Sequence, residues 1–301
     1  MGKTMKRYFP VFVLPTLLAF AVAFMVPFIM GIYLSFCDFT TVTNAKFVGI
    51  SNYVKAFTNP DFLKALWFTV KFAVLAVVTI NICGFALALM LTQNIKGRNI
   101  FRTIFFMPNL IGGIVLGYIW QSMINGVLAK FGVTMLLDPK YGYWGLIILM
   151  NWQLIGYIMI IYIAGLQNVS TDVLEAAKID GANAWQTLTK VKIPMVMPSI
   201  TICLFLTISN SFKMFDQNLA LTGGGPSNKT TMLALDIYNT FYGKVGFEGV
   251  GQAKAVVFFV IVAGIAMSQL VLTRKKDRLY VGTWGGGLGW INRKPSASKR
   301  Y

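Results

Sequence analysis

Six long apolar runs alternate with polar, turn-rich segments along the chain. About 20 apolar residues in a helix cover the hydrocarbon core of a bilayer, and runs of this length read as membrane spans. They lie near Tyr8–Phe36, Leu66–Thr92, Ile104–Asn125, Tyr143–Gln167, Met195–Leu219 and Ala253–Thr273. The pattern predicts an all-α polytopic membrane protein with six transmembrane helices. Pro10, Pro15 and Pro27 are expected to kink the first span or mark its ends. That span starts basic, but its apolar run far exceeds the core of a signal peptide, so it reads as an uncleaved helix.

Composition agrees. Of 301 residues, 56% are hydrophobic, and the mean hydropathy is +0.65. The net charge of +17 takes its meaning from placement. Most Lys and Arg fall on alternate connections: Lys3, Lys6 and Arg7; Lys96, Arg98 and Arg102; Lys178, Lys190 and Lys192; then the tail from Arg274 to Arg300. Basic residues gather on the cytoplasmic side of membrane proteins. Both termini and the 168–195 connection are therefore expected in the cytoplasm. The scatter over separate loops offers no face for nucleic acid.

Other chemistry is thin. The chain has no histidine, which removes most zinc, haem and His-base chemistry. Cys37, Cys83 and Cys203 form no CxxC and read as small packing residues. The Gly113-x-x-x-Gly117 pair reads as ordinary helix packing. The run Leu221-Thr-Gly-Gly-Gly-Pro-Ser-Asn-Lys-Thr230 is no phosphate loop, because Asn228 stands where Gly must precede the Lys. Its glycines suit a tight turn at the end of a span. The outer loops are too short to fold as domains, and Phe47–Tyr53 reads as a packed interfacial cap.

The most informative stretch is polar and Ala-rich: Glu175-Ala176-Ala177, three residues, Gly181, nine residues, then Val191-Lys192-Ile193-Pro194. Ser170, Thr171 and Asp172 can cap a helix start. Val173, Ala176, Ala177 and Asp180 share one side at helical spacing. Gly181 ends that helix, and a second is expected from about Asn183 to Val191, stopped by Pro194. Trp185, Leu188 and Val191 give it an apolar stripe. A bare amphipathic helix on lipid leaves Glu175 and Asp180 unexplained in a basic loop.

This spacing resembles the EAA loop of permease subunits of bacterial ABC importers. Phe47-Val-Gly-x-x-Asn-Tyr53 and the Gly-Gly-Gly-Pro loop resemble sugar permeases of the maltose type. The resemblance implies a type I ABC importer permease fold, with residues 1–278 as one transmembrane domain and 279–301 as a cytoplasmic tail; the chain after Thr273, basic, then Gly-rich, then Lys/Arg/Ser-rich, reads by composition as an extension with little regular structure. It implies that Glu175, Ala176, Ala177, Asp180 and Gly181 form the coupling site for an ATPase subunit. It also implies a second homologous permease, an ATPase dimer, an extracytoplasmic solute-binding protein and a sugar substrate. ATP and Mg would sit on the ATPase, and this chain would bind no cofactor and catalyse nothing.

The pathway follows from polar side chains within spans, which face cavities or other helices. Thr207, Asn210, Ser211, Met214 and Asn218 fall on one face of the fifth span by i, i+3, i+4, i+7, i+11. Gln153 and Tyr157 lie one turn apart in the fourth, beside Asn151 and Trp152. Amides, hydroxyls and aromatic rings suit a neutral sugar, and they equally suit polar contacts between helices. By resemblance the sugar-binding positions are Gln153, Leu154, Tyr157, Thr207, Asn210, Ser211 and Met214. Lys213 and Asp216 read as a local pair or a snorkelling lysine. Permeases for glycerol phosphate share this skeleton. A membrane enzyme lacks a catalytic constellation here, and an ion-coupled carrier lacks intramembrane ion ligands.

Overall fold

The computed structural model describes residues 3–285, with side chains for Phe9 and for residues 11–273. Among the described residues, four helices are long and apolar enough to cross a membrane, and two bent helix pairs bring the number to as many as six. Helix α1 (Lys3–Phe20) passes through a π-helical turn at Ala21–Met25 into α2 (Val26–Leu34). Pro27 sits in the first turn of α2, directly after the widened turn. A π turn ahead of a proline relieves the ring's clash with the preceding backbone. None of this span's apolar window is buried within the chain. It rests on α14 (Glu248–Gly285) through an edge-on Phe28–Phe259 contact, with ring centroids 5.0 Å apart.

A two-stranded antiparallel pair, β1 (Cys37–Asp38) and β2 (Lys46–Phe47), and α3 (Ser51–Thr58) form the packed cap read from the sequence. The buried Asn52 amide donates to the carbonyls of Ser35 and Cys37 and ties the cap down. Helix α4 (Pro60–Leu91) then packs along α7 (Pro139–Gln167), the most deeply buried span of the four. Their seam holds Phe72, Ala76, Ile80, Leu149, Ile158 and Tyr162. With lipid outside, such a seam is held by close packing and hydrogen bonds, because apolar contact gains nothing over lipid.

The third and fifth spans are not continuous helices, which corrects the expectation of single runs at Ile104–Asn125 and Met195–Leu219. α5 (Arg98–Phe106) ends in a 3-10 turn at Met107–Leu110, and the chain bends by 100° into α6 (Gly113–Ala129). Pro108 lies in that turn, and Ile111 and Gly112 are extended. Proline removes a donor and bars the helix from continuing through its ring. The end of α5 crosses α7 at Gly156, where any Cβ would collide with the Phe105 carbonyl.

The fifth span starts with α9 (Ala184–Gln186), a π-helical stretch at Thr187–Lys192 and α10 (Ile193–Met195). It bends by 71° into α11 (Met197–Phe212), with Pro198 in the first turn of the new helix. Pro194 therefore does not stop the second arm of the elbow, and the bend falls at Val196. α11 ends at Phe212, and the short α12 (Asp216–Leu221) follows an irregular break at 213–215.

α12 lies on α6 where the side chains are smallest. A Cβ on Gly117 would come within 2.5 Å of Ala220 Cβ, and one on Gly113 within 2.8 Å of Asp216 Cβ. The Gly-x-x-x-Gly pair is thus internal packing against a segment of the same chain. Gly223 and Gly224 take φ of +55° and +84° in the turn after α12, as the glycine run suggested. Helix α13 (Leu233–Gly243) leads into α14, which runs unbroken to Gly285. The tail expected to lack regular structure is helical to that point, and 286–301 lie outside the described residues. Cys37 and Cys203 are buried, whereas Cys83 is exposed on the outside of α4.

Candidate functional site

The two broken spans meet over α7 and leave a cavity of about 620 Å³. α7 supplies Gln153, Leu154 and Tyr157 to its wall, α11 supplies Leu206 and Asn210, and the 213–217 break supplies Lys213, Met214, Phe215, Asp216 and Gln217. Asn109, in the turn after α5, closes one side. Gln153 and Tyr157 reach the same wall because a four-residue step returns to one face of a helix.

Gln153 holds this arrangement together. Its Nε2 donates to the Ile111 carbonyl at 3.3 Å, a backbone group freed by the bend in the third span. Its Oε1 accepts from Gln217 Nε2 at 2.9 Å, just past the break in the fifth. Irregular backbone inside a membrane needs such partners. Asn210 is exposed to the cavity and Tyr157 is half-buried on it.

Five of the seven positions singled out from the sequence line this cavity: Gln153, Leu154, Tyr157, Asn210 and Met214. Thr207 and Ser211 do not; both are fully buried. Thr207 Oγ1 accepts from Asn81 Nδ2 at 2.9 Å and donates to the Cys203 carbonyl, and Tyr162 donates to Asn81 Oδ1 at 2.7 Å. Ser211 donates to the Thr207 carbonyl and touches Met150 Sδ. These groups cross-link α4, α7 and α11. Nor does Asn218 continue one face with Asn210: it lies buried in α12, where its amide fixes the loop through Thr230 O, Thr222 Oγ1 and Met232 N.

Of the two expectations for Lys213 and Asp216, a local pair or a snorkelling lysine, the pair does not form. Among the described residues, ion pairs form at Lys64–Asp61 and Lys254–Asp236 instead. Both Lys213 and Asp216 line the cavity. Two charged groups between apolar runs were a signal for it, since charge at membrane depth faces a cavity. Sequence reasoning also passed over Lys254. It is completely buried in α14, its Nζ donates to Asp236 Oδ2 at 2.7 Å and Thr240 Oγ1 at 2.8 Å, and it sits over the Phe62 ring.

The elbow forms the second candidate site. α8 (Thr171–Ile179) is capped by Ser170 Oγ, which accepts from Asp172 N. It closes in a Schellman motif: Ala182 N–H reaches the Ala177 carbonyl at 2.9 Å, and Gly181 N–H reaches Lys178 O at 3.1 Å. Gly181 takes φ +76° with open space around it, so backbone conformation alone demands glycine there. Asn183 and Gln186 then form a reciprocal capping box that starts the second arm.

Val173, Ala176, Ala177 and Asp180 line the inner cleft of the elbow, opposite Gln186, Lys190 and Val191. Glu175 points away and is exposed. Ile179 is 85% and Trp185 70% exposed, unusual for large apolar groups in a polar loop. Val191 is buried, so the apolar stripe on the second arm is split between contact and exposure.

Residues 80–277 match the family model described as "Binding-protein-dependent transport system inner membrane component". The chain is 43% identical over 274 residues to a probable starch degradation products transport system permease protein, AmyD, of Thermoanaerobacterium thermosulfurigenes, covering 88% of this chain and 94% of that one. It is 33% identical to the multiple sugar-binding transport system permease protein MsmF of Streptococcus mutans, over 91% and 98% of the two chains. In fold it matches a chain of a bacterial ABC transporter involved in import of the acidic polysaccharide alginate, with a TM-score of 0.76 at 21% identity, over 91% of this chain and 98% of that one. A helical membrane chain with an EAA elbow, matched along two-thirds of its length by this model and along most of it by these permeases, belongs to the binding-protein-dependent inner membrane components, the permease subunits of ABC importers.

Proposed function

We propose that this permease moves a di- or oligosaccharide across the cell membrane by alternating access, through the cavity between its two broken spans. The observation that carries the reading is the lining: amide, phenol, carboxylate and ammonium groups beside the ring of Phe215. A hydroxyl-rich solute needs polar edges for hydrogen bonds and ring faces for stacking. The names of the relatives at 43% and 33% identity support the same solute class.

The elbow and both chain termini face the cytoplasm in this reading, supported by the Lys and Arg on those connections. Glu175, with Ala176, Ala177 and Asp180, docks on a separate ATPase subunit, and Gly181 sets the bend. ATP closure of an ATPase dimer moves the elbow, and the bundle rocks with it. ATP and Mg are held by that dimer, and this chain binds no cofactor. A second homologous permease completes the pathway. An extracytoplasmic solute-binding protein delivers cargo, a role supported by the similar importer described in complex with a pentasaccharide-bound periplasmic protein.

Lys213 on the cavity wall supports a second reading, a phosphorylated solute such as glycerol phosphate; Asp216 on the same wall opposes it. The test is ATP-dependent uptake by the assembled transporter in proteoliposomes. Uptake of α-1,4-linked glucose oligomers, without uptake of glycerol phosphate, supports the sugar reading. The reverse pattern overturns it.

A further inference from the structure

We propose that neighbouring aromatic rings on α13 and at the α11–α12 break form a track that leads a sugar chain to the cavity from the exposed turn after α13. The proposal rests on the sugar reading above and adds a binding path outside the cavity.

Phe215 and Tyr238 lie with ring centroids 5.1 Å apart. Tyr238 and Tyr242 follow at 5.0 Å, one helical turn farther along α13. Phe215 belongs to two cavities at once. It lines the polar cavity beside Asp216, and it lines a groove of about 330 Å³ together with Tyr238 and Tyr242. The rings therefore make a continuous series from the cavity wall to the turn at Lys244–Phe247. Tyr242 is 72% exposed at its far end.

The helix that carries the series is held in rotation by its opposite side. Asp236 and Thr240 are one turn apart and both bind the buried Lys254 ammonium. Tyr238 and Tyr242 are offset from them by two residues, about 200° around a helix. Clamping one side thus presents the other. A track of rings with phenol hydroxyls suits sugar rings, whose C–H faces stack on aromatics while their hydroxyls need polar partners. Phe215, which lines both, is where the groove meets the cavity that holds Asp216 and Lys213.

The test is uptake kinetics of the assembled transporter, with its binding protein, for glucose oligomers of increasing length. Loss of one stacking contact should raise KM about three- to ten-fold in Tyr238→Ala and Tyr242→Ala. The effect should grow with oligomer length. Tyr238→Phe should keep most of the wild-type KM, and Tyr238→Leu, which keeps bulk without a π face, should behave as the alanine variant. Unchanged KM at every length in the alanine variants overturns the track. So does loss of the second permease from the purified variant complex, which makes this face a subunit contact. A wild-type complex that carries no sugar overturns the sugar reading itself, and the track with it; intact wild-type uptake with silent variants overturns the track alone.

Discussion

Gln217 donates its side-chain amide to Gln153 at 2.9 Å, joining the break in the fifth span to the central helix α7. The same Gln153 amide supports the Ile111 carbonyl freed by the bend in the third span. One side chain on α7 therefore registers both broken spans, and with them the walls of the cavity.

Gln153→Leu should loosen both breaks at once. It leaves the half-buried Ile111 carbonyl and Gln217 amide without their partner, a cost of about 1 kcal/mol for each lost bond. The expected outcome is a lower melting temperature of the purified complex together with reduced uptake. Gln217→Leu should show a smaller stability loss, because the Ile111 bond survives.

Thr207 and Asn210 should separate cleanly although they are neighbours in one helix. Thr207→Val removes one of the two acceptors of the Asn81 amide, leaving the Val77 carbonyl, and should destabilise by about 1 kcal/mol with little change in KM. Asn210→Ala should leave the melting temperature nearly unchanged and raise KM. Thermal melts and uptake kinetics on the same preparations check both.

Lys254, fully buried, forms an ion pair with Asp236, which is nearly so. Removing one partner strands a buried charge, so Lys254→Met should cost about 3–5 kcal/mol. The double change Lys254→Met with Asp236→Leu should recover most of that loss, because no buried charge remains. A double-mutant cycle on thermal stability measures the difference.

Gly181 holds φ +76° in the elbow. Gly181→Ala should strain this turn by about 1–2 kcal/mol, and Gly181→Pro should break it. The bundle is expected to insert and assemble, while ATPase activity loses its response to loaded binding protein. Glu175→Lys should give the same uncoupling with the elbow intact. ATPase assays with and without loaded binding protein separate these outcomes from misfolding.

Much of this structure was legible in the sequence, and the gaps have specific causes. The apolar runs marked the spans because length and hydropathy suffice for that. Glu175 to Gly181 gave the elbow because a glycine after an Ala-rich turn is what a Schellman closure needs. The breaks at Pro108 and Val196 were hidden inside apolar runs, where membrane helices often tolerate proline. Missing the further break at 213–215 made Asn218 look like part of one polar face with Asn210, whereas Thr207 and Ser211 share α11 with Asn210 and differ from it in burial. A one-residue step turns a helix by about 100°, and that step separates the packing hydroxyl of Thr207 from the wall formed by Leu206 and Asn210. Lys254 was passed over because its partners lie on another helix, and one sequence does not show that pairing.

In the proposed path, cargo passes the wall formed by Tyr157 and Asn210. The most direct measurement is ATP-dependent uptake of labelled glucose oligomers into proteoliposomes carrying the Tyr157→Ala, Asn210→Ala double variant, with assembly checked on the same sample. Normal assembly and a KM raised about ten-fold or more are expected for the loss of two contacts to cargo. Wild-type uptake kinetics in that variant would contradict the proposed path.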